Sequence, residues 1–313
     1  MSKYVISSSP HLRDNVSTTS IMRDVCIALL PAAVAGVLFF GYRSAIILAL
    51  SVAAAVLSEW LYCKAAHCRN TIGDFSAVVT GMLLAMNLPS TVPYWMPVIG
   101  SVIAILLCKM IFGGIGQNFI NPALAARAIL ALSWASLMNK FAAPAFGNLA
   151  GVDAVASATP IGAAAGTYTL GQLFLGNIPG TIGETCKLAL LIGAAYLFYK
   201  KVITWHIPAA FIGTCAVCYL LKTGFDVNAT LAQLLSGGLI LGAFFMATDY
   251  SSSPATAKGK IVFGIGCGLL LFIFRACKKT PAEWCSYAIL LMNVCSPLIE
   301  RVTGNKSFGE VKK

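Results

Sequence analysis

Few residues in this chain can do chemistry, so their placement is informative. The segment Asp153-Ala-Val-Ala-Ser157-Ala158-Thr159-Pro160 puts one carboxylate and two hydroxyls in a single short stretch. A hydroxyl can form an ester. Pro160 biases Thr159 toward extended backbone, which presents the side chain rather than burying it in a helix. By residue type alone, the segment is a turn of small residues. Arg127 stands inside the apolar run FINPALAARAILALSW. A charge within such a run is costly and normally faces protein or a cavity. Two uses are open to it: contact with an anion such as a phosphate, or a structural ion pair. Asp249 closes the run FFMATDYSSSP, either as a contact for a polar ligand or cation, or as the cap of the turn that Pro254 completes. Glu184 flanks an apolar run in a similar way, as do Asp24, Glu59 and Asp74.

Other patterns are weaker. Three histidines, His11, His67 and His206, are too few and too scattered for a metal cluster. The eleven cysteines lie mostly inside apolar runs, which does not fit a disulfide framework. Cys215 and Cys218 make a C-x-x-C within one apolar run, where two small residues on one helix face are expected. One such pair cannot complete an iron–sulfur site. The glycine clusters at 113–116 and 264–268 do not sit between a soluble strand and a helix, so they do not read as nucleotide loops.

The elements that must position these residues are membrane spans. Of 313 residues, 58% are hydrophobic and 11% charged, and the net charge is +11. Soluble domains carry about 25% charged residues. The basic residues sit singly or in pairs between apolar runs. That pattern fits charges flanking spans in a lipid bilayer and excludes a nucleic-acid face. The expected fold is an all-α polytopic membrane protein. Its ten or so spans are 25–41, 45–62, 75–88, 95–112, 119–137, 186–199, 202–221, 231–247, 261–275 and 285–299. The short runs 75–88 and 261–275 are expected to be broken or tilted helices. No cleavable leader is expected, because the first apolar run lacks a small-residue cleavage pattern.

The expected divisions are a cytoplasmic N-terminal segment (1–24), a first membrane half (25–137), an outer-side loop (138–185), a second membrane half (186–299) and a cytoplasmic tail (300–313). With the N-terminus inside, thirteen lysines and arginines face the cytoplasm and seven face out, which favours this orientation. Five spans per half would invert the second half relative to the first. A faint echo supports such a repeat. GMLLAMN before Pro89 parallels GAFFMATD before Pro254, and Asn121-Pro122 before Arg127 parallels Asn293 and Pro297 before Arg301. Broken-helix ends from both halves are then expected near one central site.

The chain resembles the family of the D subunit of Rnf-type ion-translocating complexes, and of the B subunit of the sodium-pumping NADH:quinone oxidoreductase. The matching segments run in order along nearly the whole sequence: SSSPH at 7–11, FGGIGQNFINP at 112–122 ahead of Arg127, IGET at 182–185, MATDY at 246–250, KGK at 258–260 and SYAILLMN at 286–293. The family carries a D-x-x-[S/T]-G-A-T signature whose final Thr forms a phosphoester with FMN. Here its Asp falls on Asp153 and its Thr on Thr159. Ala156 and Ser157 stand where the family has Ser/Thr and Gly, while Ala158 matches.

The resemblance implies a membrane subunit that relays electrons through FMN bound covalently to Thr159. It implies a ferredoxin/NAD couple linked to sodium or proton translocation in the cell membrane. A second, non-covalent flavin such as riboflavin is a further expectation. Asp153, Ser157, Ala158, Arg127, Asn121, Glu184 and Asp249 are the associated candidates for cofactor binding. The implied partners are the complex's subunits A, B, C, E and G, and a flavin transferase for maturation. The rival class is a channel or secondary transporter for a small solute, because an inverted repeat with broken helices serves transport equally well.

Overall fold

The computed structural model describes residues 17–68, 70–144, 146, 156–157, 168–277 and 284–304. Helices occupy the expected spans in order, with short helices such as Leu170–Leu175 between them. They are α1 (Thr18–Phe40), α2 (Tyr42–Ala65), α3 (Ser76–Met86), α4 (Trp95–Ile105), α5 (Pro122–Ser133), α6 (Ala135–Met138), α7 (Leu170–Leu175), α8 (Lys187–Tyr199), α9 (His206–Lys222), α10 (Val227–Leu235), α11 (Leu239–Leu241), α12 (Ala257–Cys277) and α13 (Trp284–Thr303). α4 runs on into a π turn, Leu106–Met110, and α11 into another, Gly242–Met246. A two-residue strand pair, β1 (Phe141–Ala142) and β2 (Ala156–Ser157), joins Phe141 to Ser157 and Ala142 to Ala156. The chain is thus a polytopic all-α membrane protein. By length and composition α1, α2 and α12 can each cross a bilayer alone.

Two expectations about broken helices exchange places. The run 261–275 lies within an unbroken helix of 21 residues, α12. Its glycines serve close packing rather than a break. A Cβ on Gly264 would come within 2.7 Å of Ala210 and 2.9 Å of the Ile207 carbonyl, and one on Gly268 within 3.0 Å of the Phe211 carbonyl. The run 231–247, read as one span, instead bends by 67° between α10 and α11. Ser236 leaves the helix in extended backbone, and Gly237 takes φ +67°, which glycine adopts without strain.

Packing follows the same pattern twice. α2 lies against α3 and α4, and α4 against α5. In the second half α9 lies against α12 and the second π turn, and α12 against α13. The corresponding helices α1 and α8 pair with each other and run antiparallel. Tyr196 donates to Asp24 at 3.0 Å near one end, and Gly36 abuts Ile182 near the other. α5 and α13 do the same. Arg127 donates to Ser286 at 2.5 Å. With its amide turned to satisfy both neighbours, Asn293 accepts from the Asn121 N–H and donates to the Ser252 carbonyl, each at 3.2 Å. Equivalent helices running in opposite directions make the halves inverted copies of one arrangement. α3 and the second π turn therefore meet end to end, with the Asn87 amide 3.7 Å from the Met246 sulfur.

Within the stretch 138–185, the described residues 168–185 fold against the helices. α7 is held by a capping box between Thr169 and Gln172, a T-x-x-Q signal open to sequence reading. The segment after it folds under the end of α3. The Ile182 N–H donates to the Leu88 carbonyl at 3.0 Å and the Gly183 N–H to the Met86 carbonyl at 2.8 Å. Only glycine fits at 183, because a Cβ there would collide with Met86.

Candidate functional site

A cavity lies where the two halves meet, lined by residues of both. Its apolar walls come from α1 (Ile21, Val25), α3 (Val79, Leu83) and the second π turn (Phe244, Phe245). Its polar groups come from Ser76 and Thr80 of α3, Lys109 of the first π turn, the Asn118–Asn121 segment, and the turn from Thr248 to Ser251.

Each polar group is fixed from behind. Asn121 caps α5, its side-chain oxygen accepting from the Ala123 and Leu124 N–H groups at 3.1 and 3.3 Å, while its amide donates to the Met246 carbonyl at 3.3 Å. Pro122 suits the first helical position, where no N–H is needed. Asp249 accepts from the Ser251 and Ser252 hydroxyls, both at 3.0 Å, and Asn118 also bonds its side chain. The two readings of Asp249 therefore merge: it organises the serine turn and faces the cavity. On the far wall, Lys109 is 3% exposed. It donates at 2.6 Å to both the Glu59 carboxylate and the Ser76 hydroxyl. Thr71 bonds the other Glu59 oxygen, and the Ser76 hydroxyl also bonds Asp74.

Arg127 lines a second, smaller cavity together with Ser286, Tyr287, Asn139 and Phe141. Phe141 is the strand partner of Ser157, so this cavity adjoins the strand that leads toward Thr159. The two cavities sit along one helix. Ala123 lines the first and Arg127 the second, four residues or about 6 Å of rise apart.

The candidates thus divide. Asn121 and Asp249 share the large cavity, and Arg127 faces the small one. Glu184 lines neither. Its carboxylate accepts from the Thr181 N–H at 3.1 Å and shapes the buried turn beneath α3. Lys187, one of the seven lysines and arginines expected on the outer side, is fully buried and bonds the Glu184 and Gly237 carbonyls. Asp153, Ala158 and Thr159 lie outside the described residues, and of Ser157 only the backbone is described. Asn118 and Lys109 are additions. Asn118 stands three residues before Asn121, on the same loop, and Lys109 is a charge inside a span. Both signals are present in the sequence.

Fold and cavities together define a polytopic membrane protein built as an inverted repeat around a polar-lined cavity. The NQR2, RnfD, RnfE family matches residues 5–309, and the chain belongs to that family. It is 49% identical to the D subunit of the Na(+)-translocating ferredoxin:NAD(+) oxidoreductase complex of Acetobacterium woodii, covering 98% of this chain and 96% of that one. It is 41% identical to the D subunit of the proton-translocating ferredoxin:NAD(+) oxidoreductase complex of Clostridium ljungdahlii, over the same shares. It is 33% identical to the D subunit of the ion-translocating oxidoreductase complex of Halorhodospira halophila, over 97% of this chain and 95% of that one.

Proposed function

We propose that this chain is the flavin-carrying membrane subunit of an ion-translocating ferredoxin:NAD oxidoreductase complex, with FMN esterified to Thr159 and a non-covalent flavin of the riboflavin type in the large cavity. Family membership over nearly the whole chain carries the subunit assignment. The cavity supports the second flavin. Its apolar walls, Phe244 and Phe245 among them, suit a planar aromatic ring. Asn118, Asn121 and the Asp249 turn supply hydrogen-bonding groups for a polar edge. Arg127, beside the strand that leads to Thr159, suits an anionic phosphate or ring edge.

A bound flavin supplies electron chemistry, and the chain's own residues fix its position and surroundings. Asn121 holds the cavity's shape by tying α5 to the second π turn. The apolar walls exclude water, which strengthens each polar contact inside. The partners are the complex's other subunits, A, B, C, E and G, and a flavin transferase that loads Thr159. The chain lies in the cell membrane with its N-terminus cytoplasmic and 138–185 outside, as the lysine and arginine bias favours.

Intact-mass and peptide measurements on chain made with the transferase test the covalent step. The expected result is one FMN on Thr159, lost in Thr159→Ala while the membrane domain remains folded. FMN on Ser157, or on no residue between Asp153 and Thr167, would overturn the assignment. A solute channel would carry no flavin of either kind.

A further inference from the structure

We infer that Lys109 is the counter-charge for electrons arriving in the large cavity, and that Glu59 is its resting partner. The inference rests on the flavin reading of that cavity. Lys109 is the only lysine, arginine or histidine among the described lining residues. An ammonium has three donors. Glu59 and Ser76 take two of them at 2.6 Å, and the third has no protein acceptor among the described residues. The side chain belongs to a five-residue π turn, a form of helix that recurs at functional sites. That turn places Lys109 against α2 and α3 at once while it lines the cavity.

The electrostatics follow from this placement. Glu59 is fully buried and its carboxylate also bonds Thr71. At rest, the Glu59 charge offsets that of Lys109, with the Asp74 carboxylate one hydroxyl away through Ser76 and the Asp249 carboxyl across the cavity. An electron delivered without a proton by a low-potential carrier of the complex adds one negative charge to the cavity, and no covalent bond forms or breaks. Charge interactions are strong where water is excluded, so Lys109 turns its third donor and part of its field toward the new charge. Glu59 keeps the Thr71 hydrogen bond. When the electron passes on, the ammonium returns fully to Glu59. Lys109 is therefore a positioning and tuning residue, acting through charge rather than by exchanging electrons. A purely structural ion pair would also be buried. It would have no reason to line a cavity, and buried pairs are weak contributors to stability.

The opposite signs of two single variants separate these accounts. The full-length chain is purified in a Thr159→Ala background, so that any flavin present is non-covalent, and its midpoint potential is measured by absorbance during redox titration. Lys109→Gln is expected to weaken binding of the reduced relative to the oxidised flavin at least tenfold, which lowers a one-electron midpoint by about 59 mV. Glu59→Gln is expected to raise it, Lys109→Arg to stay near the parent, and the double variant Glu59→Gln/Lys109→Gln to lie below Glu59→Gln alone. That last comparison stands even if Lys109→Gln fails to fold, because the double variant buries no unpaired charge. An unmoved potential in Lys109→Gln, or a shift of the same sign in Glu59→Gln, overturns the inference with the flavin reading intact. Absence of extractable flavin from the parent overturns both.

Discussion

The two halves repeat one arrangement of helices but hold it together by different means. In the first, α2 meets α3 and α4 through polar groups. The Ser51 hydroxyl donates to the Gly81 carbonyl at 2.8 Å, Ser51 and Ser101 lie 2.9 Å apart, and Glu59 pairs with Lys109 further along. In the second, the equivalent α9 and α12 are brought together by Gly264 and Gly268, with Cys215 set against the Gly268 carbonyl at 3.6 Å. A glycine seam packs backbone on backbone and cannot shift without collision. A seam of hydroxyls and a salt bridge has several nearly equivalent hydrogen-bond arrangements. The difference teaches that an inverted repeat need not divide its work evenly. Here the charged seam itself reaches the cavity between the halves through Lys109, while the glycine seam lends it no lining residue and serves as a rigid frame.

Variants that attack one seam at a time sharpen this contrast, read as thermal unfolding of the detergent-solubilised chain. The largest expected effect is Glu59→Ala, which strands the Lys109 ammonium and should cost about 3–5 kcal/mol. Converting both partners, Glu59→Leu with Lys109→Met, should recover most of that loss. If the double variant is as unstable as the single, the seam is not electrostatic in character. Next comes Gly268→Leu in the glycine seam, expected to cost about 1–3 kcal/mol through overpacking, with no rescue by a polar change nearby. A neutral result there would mean that α9 and α12 can separate and that the frame is not rigid. The smallest is Ser51→Ala. It removes one interhelical hydroxyl, expected to cost about 0.6 kcal/mol, near the average for such bonds in membranes. A loss as large as that of Glu59→Ala would place the weight of the first half on hydroxyls rather than on the ion pair.

Much of this architecture is legible in the sequence, because lipid imposes a plain rule. Apolar runs became helices in the expected order, and the echo between GMLLAMN and GAFFMATD marks the two elements that meet at Asn87 and Met246. What sequence reading misplaced were the breaks. Gly264, Gly266 and Gly268 looked like a break, yet they pack a continuous helix, while Ser236 and Gly237 bend a run that looked whole. Glycine has two uses, freedom and closeness, and only the neighbouring helix decides between them. The site was partly legible. Arg127, Asn121 and Asp249 stand out because polarity inside apolar runs demands a reason. Lys109 carries the same signal, but its pairing with Glu59 across fifty residues is a product of tertiary packing. Glu184 shares the flanking position of Asp249 and differs only in what folds over it.

The hydrogen bonds that join α5 to the second half also bear on how the chain is made. Asn121 donates to a carbonyl 125 residues later and Arg127 to a hydroxyl 159 residues later. At a synthesis rate of about 5–20 residues per second, these acceptors emerge roughly six to thirty seconds after their donors. Through that interval a nascent first half holds a guanidinium and an amide at membrane depth before these acceptors exist. Lipid offers no substitute for them. Insertion of α5 and its locking into place are therefore separate events in time, and the second half acts as the folding template that completes the first.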